Sequence, residues 1–371
     1  MKIAFVGDYF SANKAIVDKS LSDADITCVN LEAPLTERTI SINKAGPAIR
    51  GNKANFLDFV SMFEGDLFFN LANNHIGDYG EHGIEDTVNA IKQTKSFYSG
   101  VSIGGDIPGV VIEDKKVAFV SVCERQFGIS QLDKLGAAPF SFSIYSKIKK
   151  LKDLGLFVIV ASHFAEEMNQ WMPPKIRDFF KSLVDAGADI VYNTHSHVPN
   201  GFEEYNGGVI LYGMGNFIFN RSFWAKYKYA TKSVMYIWEN GSVSHKWIEF
   251  DENNVVRPTE PINGYMEDCV YPLKDDKKLI ALWQEYSIRK YTQTYEKWMC
   301  PNIARRLKCV LRAVLKKDFK YAGRSGNLLK YHLWSCESHR QVIETALGVL
   351  SGELRDYRNE FSKKMLDKYY Q

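Results

Sequence analysis

Residues suited to metal chemistry recur along the first two thirds of this chain. Each time they stand where an apolar, β-rich run ends. Asp8 follows Ile3–Val6, Glu32 follows Ile26–Asn30, and Asn73, Asn74 and His75 follow Leu67–Asn70. His163 follows Phe157–Ser162, and His195 and His197 follow Ile190–Asn193. Four of the eight His in the chain sit at these ends. Together, Asp, Glu, Asn and His offer hard oxygens and borderline nitrogens, a mixture that suits Zn²⁺, Mn²⁺ or Fe better than Ca²⁺ or Mg²⁺ alone. A carboxylate such as Asp8 or Glu32 can bridge two cations, and a His-x-His pair presents two imidazoles from one loop. Two cations roughly 3.5–4 Å apart can hold a phosphate, activate a water and stabilise a leaving oxygen. Singly, each residue has a plainer reading: a cap, a turn, or a buried core histidine. Their joint occurrence at five strand ends favours a metal site.

These residues converge only if parallel strands bring their carboxyl ends together, which is where open α/β sheets form ligand sites. The runs Ile3–Gly7, Ile26–Asn30, Leu67–Asn70, Lys116–Val122, Phe157–Ser162, Ile190–Asn193 and Gly208–Tyr212 predict strands. Helical patterns at Gly83–Thr94 and Lys175–Asp185 separate several of them, which makes the chain α/β (α+β). Ser233–Glu249 reads as a closing hairpin turning at Asn240-Gly241. After about residue 265 helical patterns dominate, over Asp275–Lys297, Ile303–Lys317 and Ser338–Tyr369. The expected division is an α/β portion, 1–260, followed by a basic helical portion, 261–371.

The chain has 371 residues, 45% hydrophobic and 13% aromatic, which excludes a disordered chain. Six scattered Cys without CxxC spacing argue against a thiolate zinc site or a disulfide framework. No apolar run approaches the roughly 18 residues of a membrane span. MKIAFVGDYF enters a strand directly without a signal peptide, so the expected location is cytoplasmic, or peripheral at the inner membrane face. The formal charge of +3 hides an asymmetry: residues 289–330 carry twelve Lys/Arg against two acids. In 303–317, IARRLKCVLRAVLKK, apolar residues fall on one helix face and cations cover most of the rest. Such a helix packs on its own domain with a solvated cationic face, or lies on an anionic membrane surface or polymer. Nucleic acid is the weaker partner, because no nucleic-acid motif accompanies the charge.

The motif order GD, NLE, ANNH, H, HxH, GNF resembles the calcineurin-like metallophosphoesterase superfamily. More narrowly it resembles the CapA-type branch, the capsule and poly-γ-glutamate biosynthesis proteins. The carriers are VGD at 6–8, VNLEAPLT at 29–36, NLANNHIGDYG at 70–80, GVSIGGD at 100–106, SHFAEE at 162–167 and the block 183–220. The resemblance covers about 1–250. It implies a four-layer αββα sandwich, which the helical patterns beyond it continue as a helical C-terminal extension, and a metal-dependent phosphoesterase-type hydrolase acting in capsule or exopolysaccharide assembly. It implies Asp8 and His197 on a first metal, Glu32 as the bridge, and Asn74, His163 and His195 on a second. His75 becomes the general acid, and Asp8 and Glu32 share in catalysis through the ions. The expected cofactors are two divalent ions, Mn, Zn or Fe.

Departures from the family pattern matter. Asp-x-His appears as Asp8-Tyr9-Phe10, so one ligand is missing and one ion is expected to bind less tightly. Glu32 in place of Asp lengthens the bridge by one methylene. His-Trp-Gly-x-Glu appears as His163-Phe164-Ala165-Glu166-Glu167. Substrate contacts are expected from Lys44 and Arg50, cations beside turns at Gly46-Pro47 and Gly51, and from Asn73 and Asn216. The substrate expected is an anionic polymer or phosphorylated glycan. The competing readings are an accessory protein that binds an anionic polymer with weak or no catalysis, and amide hydrolysis at the same metals.

Overall fold

The computed structural model describes residues 1–10, 12–219, 224–227, 229–299 and 319–370, with the side chains of 319–325 outside the description. The basic stretch 303–317 therefore lies outside the described residues.

The chain runs β1 (Lys2–Tyr9), β2 (Ile16–Val17), β3 (Ile26–Leu31), α1 (Lys53–Val60), β4 (Asp66–Asn70), α2 (Gly80–Ile91), β5 (Phe97–Ser99) and β6 (Val101–Ser102). It continues through β7 (Gly109–Ile112), β8 (Val117–Cys123), β9 (Gly136–Ala137), α3 (Ser143–Asp153), β10 (Phe157–His163), α4 (Pro174–Asp185) and β11 (Ile190–Thr194). Strands β12 (Phe202–Tyr205), β13 (Gly208–Leu211), β14 (Asn216–Ile218), β15 (Lys232–Glu239), β16 (Ser242–Phe250) and β17 (Val255–Pro258) complete the sheets. Helices α5 (Asp276–Lys290), α6 (Phe319–Ser335), α7 (Glu337–Ser351) and α8 (Glu360–Tyr369) follow.

One mixed sheet has the order β2-β17-β16-β15-β1-β3-β4-β5, with β14 added beside β1. The other runs β12-β13-β11-β10-β8-β7. β1, β3, β4 and β5 are mutually parallel, and so are β8, β10, β11 and β13. Strand alternation sends Ile3, Phe5, Cys28 and Phe68 of the first sheet into the space between the sheets. Their neighbours Ala4, Val6, Val29 and Phe69 pack outward against Phe56 and Phe59 of α1 and Ile84 and Ile91 of α2. Phe68 stacks on Phe119 at 3.9 Å and Phe5 meets Tyr192 at 5.1 Å, which joins the two sheets. α3 and α4 cover the far side through Ile144, Ile148, Phe180 and Leu183. The layers are helix, sheet, sheet, helix.

The hairpin turns at Asn240 (φ +49) and Gly241 (φ +89), the left-handed pair that a two-residue turn requires. Gly7 is fixed by a close approach: a Cβ there would stand 1.6 Å from the Gly215 oxygen, whereas glycine lets the Asp8 N–H bond that oxygen at 3.1 Å.

The described residues beyond Pro258 are mainly helical, and they share the core of the second sheet. Leu282, Trp283 and Tyr286 of α5, Leu333 of α6, Val342 and Ile343 of α7 and Leu366 of α8 belong to the same apolar cluster as Val160 and Ile190. The span Ser338–Tyr369 is not one helix. Gly352 adopts φ +79 and closes α7, and Asn359 opens α8 by capping the Ser362 N–H.

Candidate metal centre

Parallel register brings the expected ligands to one edge. Asp8 lies near the end of β1, level with Asn30 of β3 and Asn216 of β14. His163 is the last residue of β10 and pairs with Thr194, the last of β11. His195 (φ +95) and His197 (φ +56) then take left-handed backbone conformations in the turn after β11. Such conformations cost a non-glycine residue about 1–3 kcal/mol each and persist where the surroundings over-determine them. Here they carry both imidazoles into the cluster.

Each imidazole is oriented by a partner on its far nitrogen. Thr194 donates its hydroxyl to the Ser162 carbonyl at 3.2 Å, so its oxygen accepts from His163 Nδ1 at 2.9 Å. His163 Nε2 then directs a lone pair at Asn74 Oδ1, 3.1 Å away, and at Glu32 Oε1, 3.8 Å away. His197 Nδ1 donates to Asn216 Oδ1 at 2.8 Å, with Asp8 Oδ2 at 3.2 Å, and its Nε2 faces Glu32 Oε1 at 3.5 Å. Gln126 and Glu124 stand 2.8 and 3.7 Å from His195 Nε2. Asn30 donates to Asp8 Oδ1 at 2.8 Å and the His195 N–H to Asp8 Oδ2 at 3.4 Å.

The lone pairs of His163 Nε2, His197 Nε2, Asn74 Oδ1 and Glu32 therefore point at one another, whereas Gln126 Nε2 donates to His195 Nε2 and leaves the hydrogen of that neutral ring on Nδ1. Glu32 Oε1 and His195 Nδ1 are buried without a hydrogen-bond partner among the described residues. Two ligand atoms each about 2.1 Å from a tetrahedral ion stand about 3.4 Å apart. The Glu32–His197 and Glu32–His163 separations are close to that and too long for hydrogen bonds. Two triads, Glu32–His195–His197 and Asp8–Glu32–His163, each bring one donor atom per residue within 4.8 Å of the others, and Glu32 belongs to both. This donor set fits divalent cations.

Burial, reinforced by the charge of Asp8, pushes Glu32 well above the usual carboxylate range. Burial drives His163 far below the usual imidazole value, and His195 down to about 4. For His197 burial acts downward too, but the hydrogen bond and charge of Asp8 outweigh it and raise the value. His163 and His195 are thus neutral, the form in which imidazole binds metals.

His75 lies beside this cluster. Its Nδ1 sits 2.7 Å from Asp78 Oδ2, and Lys44 Nζ donates to Asp78 Oδ1 at 2.6 Å and to the Asn74 carbonyl at 3.1 Å. Burial, and next the Lys44 charge, lower the His75 value. Of the four residues expected to touch substrate, Lys44 lines the cavity next to Asn74 and His75. Arg50 does not line it, since its guanidinium donates to the carbonyls of Glu37 (2.9 Å) and Arg38. Asn73 and Asn216 are buried: Asn73 Oδ1 caps the His75 and Ile76 N–H groups at 3.1 and 2.9 Å, and Asn216 holds His197. Trp171 and Phe217, aromatic residues that a groove could use, lie in the core.

Sequence reading did not single out Asp78, Thr194, Glu124 and Gln126. Asp78 was within sight, three residues after His75 in a turn, while Glu124 and Gln126 carry no recognisable spacing. Burial pushes the Glu124 carboxyl up to about 7, and it accepts from Gln126 Nε2 at 2.9 Å and from the Ser338 N–H at 3.0 Å. It thereby ties α7 to the surroundings of His195.

Comparison with known proteins gives a consistent result. The family described as bacterial capsule synthesis protein PGA_cap matches residues 6–221. The capsule biosynthesis protein CapA of Bacillus anthracis is 28% identical over 302 residues, 74% of this chain and 72% of that one. The PGA biosynthesis protein CapA of Bacillus subtilis is 30% identical over 187 residues, 47% of each chain. A probable polyglutamine synthesis accessory protein of Mycobacterium tuberculosis is 28% identical over 168 residues, 40% of this chain and 44% of that one.

Proposed function

The chain belongs to the bacterial capsule synthesis family PGA_cap, and on that footing we propose a metal-dependent hydrolase of the phosphoesterase type, acting in capsule, exopolysaccharide or poly-γ-glutamate biosynthesis. One observation carries the reading: buried ligand atoms of Glu32, His163, His197 and Asn74 converge, and no hydrogen bond joins Glu32 Oε1 to either imidazole. Asp8, Glu32 and His197 would hold one divalent ion, and Asn74, His163 and His195 a second, with Glu32 common to both. Ions held there polarise a phosphoryl oxygen and favour deprotonation of a water. The protein's own groups do the rest. Asn30, Thr194, Asn216 and Gln126 lock the ligands in orientation. Asp78 fixes the ring of His75 through Nδ1, which leaves Nε2 to exchange a proton with the leaving oxygen. Lys44 supplies positive charge beside the same edge. Asn73 and Asn216 act as positioning residues.

A second reading has its own observation. Position 10, where the superfamily carries a His, holds Phe10, packed 5.2 Å from Phe219. The first ion then has fewer ligands, which favours one tightly held ion and an accessory role in binding an anionic polymer. Amide hydrolysis at the same ions is the third possibility. Contact with an anionic membrane surface through 303–317 is a separate proposal, to be tested by vesicle flotation. No described helix is long and apolar enough to cross a membrane.

The deciding experiment joins metal analysis to turnover of bis-(p-nitrophenyl) phosphate and of a γ-glutamyl amide. The hydrolase reading expects bound divalent metal and phosphoester turnover, both lost in the His195→Ala/His197→Ala variant. Unchanged turnover in that variant sinks it. Bound metal without turnover of either substrate turns the choice to the accessory reading.

A further inference from the structure

A cavity of about 680 Å³ opens against Asn74 and His75. Its near wall is α/β: Lys44, Asn74, His75 and Phe127. Its far wall comes from the helical C-terminal region, with Lys290, Tyr295, His332 and His339. That region is docked on the site loops. The Ser338 hydroxyl accepts from the Ala165 N–H at 3.1 Å, and Ser335 donates to the Arg125 carbonyl at 3.2 Å.

A second hollow, of about 850 Å³, adjoins the first. Asn43, Gln126 and Phe127 line both. Gln126 ties this common edge to the cluster of metal-binding residue types: its Oε1 accepts from Asn74 Nδ2 at 3.1 Å, and its Nε2 stands 2.8 Å from His195 Nε2. Phe127 stacks on His332 at 4.5 Å. Helix α6 gives His332 to the first hollow and its neighbour Tyr331 to the second. The edge is fixed in place by a close backbone approach. A Cβ on Gly77 would stand 2.7 Å from the Gly128 Cα, so the turn after Phe127 is pinned to the turn after His75.

The second hollow carries charge of one sign. Arg125 and Lys134 line it, and no carboxylate does so among the described residues. The Arg125 guanidinium is already engaged by Glu337 at 2.9 Å and by the Phe140 carbonyl at 3.0 Å. Lys134 is half-buried, and its ammonium has neither a hydrogen bond nor an ion pair among the described residues. A concave surface lined by cations alone concentrates anions. Each hollow has the size of a complete small-ligand site, about 300–1,000 Å³. One small ester at the metal centre therefore leaves the second hollow empty.

Resting on the hydrolytic reading of the metal centre, we propose that the second hollow is a subsite for the next unit of a linear anionic chain. One unit lies beside His75 and Lys44. The chain crosses Phe127, and an anionic oxygen of the following unit, carboxylate or phosphate, meets the Lys134 ammonium. The centre then prefers an oligomer to a single unit, and Lys134 sets that preference without touching the reacting bond.

The test uses the full chain loaded with Zn²⁺ and fluorescently labelled oligomers of glutamate and of phosphoserine, each two and six units long. Fluorescence anisotropy should show the six-unit probe of at least one series binding about fivefold more tightly than its two-unit form. Lys134→Gln should abolish that gain, with two-unit affinity changed less than about twofold and zinc content unchanged. Lys150→Gln, which removes an exposed cation of α3, should keep the gain and so separates a subsite from general attraction between charges. The series that shows the gain identifies the anion. Equal affinity for both lengths in both series, a gain that survives Lys134→Gln, or a gain lost equally in Lys150→Gln overturns the proposal. A wild type that binds no zinc overturns the metal reading instead, and the length dependence still decides the subsite.

Discussion

The two walls of the cavity are built in opposite ways. Behind the α/β wall, next to Asn74 and His75, the cluster of metal-binding residue types takes its side chains from strand ends, where parallel register sets neighbours side by side: Asp8 beside Asn30 and Asn216, His163 beside Thr194. The helical wall takes Glu166 from the turn after β10 and joins it to Tyr286, Tyr295 and His339, more than a hundred residues later. Backbone hydrogen bonds place the first set. Packing of α5, α6 and α7 on the second sheet places the other. A register-built wall leaves short motifs in the sequence, and a packing-built wall leaves none.

The comparison can be broken at several points, in falling order of effect. On the proposed hydrolase reading, replacing His195 and His197 by Ala would remove a ligand from each ion. Turnover should fall by more than about a hundredfold, since even outer partners of a metal site are worth 10–100-fold. Metal analysis alongside the assay checks this.

Leu282→Ala in α5 and Phe68→Ala between the sheets should each cost about 3–4 kcal/mol, because both leave a cavity in one continuous core. Urea titration followed by fluorescence should show one transition, shifted in both variants. Two separate transitions, with Leu282→Ala moving only one, would make the helical region an independent domain.

Acid should act on the helical wall through Glu166. Burial raises its carboxyl, but His339 outweighs this and holds it down to about 2. A carboxyl lower in the folded than in the unfolded state stabilises above the unfolded value, about 4.5, and loses that contribution as pH falls toward 2. The full contribution is on the order of 3 kcal/mol. His339 has the opposite sign: its raised value contributes below the ordinary imidazole value of about 6.5, and the contribution is lost as pH rises through the folded value. Denaturation midpoints across pH should therefore peak between these limits, and Glu166→Gln should flatten both flanks.

The smallest effect separates two cations of one loop. Lys44 lines the cavity and Arg50 does not. Lys44→Gln should raise the KM for a phosphoester about tenfold, whereas Arg50→Gln should change it less than about twofold. Equal effects would remove the distinction between cavity and loop.

Much of the α/β half was legible beforehand. Strands β1, β3, β4, β8, β10, β11 and β13 follow apolar runs bounded by turn residues, and the Asn240-Gly241 hairpin follows from its two left-handed positions. Asp8, Glu32, Asn74, His163, His195 and His197 do gather at one edge, because each lies at or within four residues of the carboxyl end of a strand of a parallel set. Glycines and a proline near Arg50 show where the chain can turn, not which way a side chain then points, and the Arg50 guanidinium turns to the Glu37 and Arg38 carbonyls. The break at Gly352 was missed because the apolar pattern on either side of it is helical.

Strand-end chemistry is a local property. Alternation buries the strand, the next residue leaves the sheet, and its type states what it can bind, so the amino-acid sequence by itself determined the sheet order's raw material and the donor set at its edge. Tertiary structure alone decided that Glu32 belongs to both donor triads and that Glu124 ties α7 to His195. It also decided that His332 Nδ1 is buried without a hydrogen-bond partner among the described residues. Those facts depend on distances between side chains far apart in the chain, and such distances are set by the joint packing of two sheets and the helices beyond them.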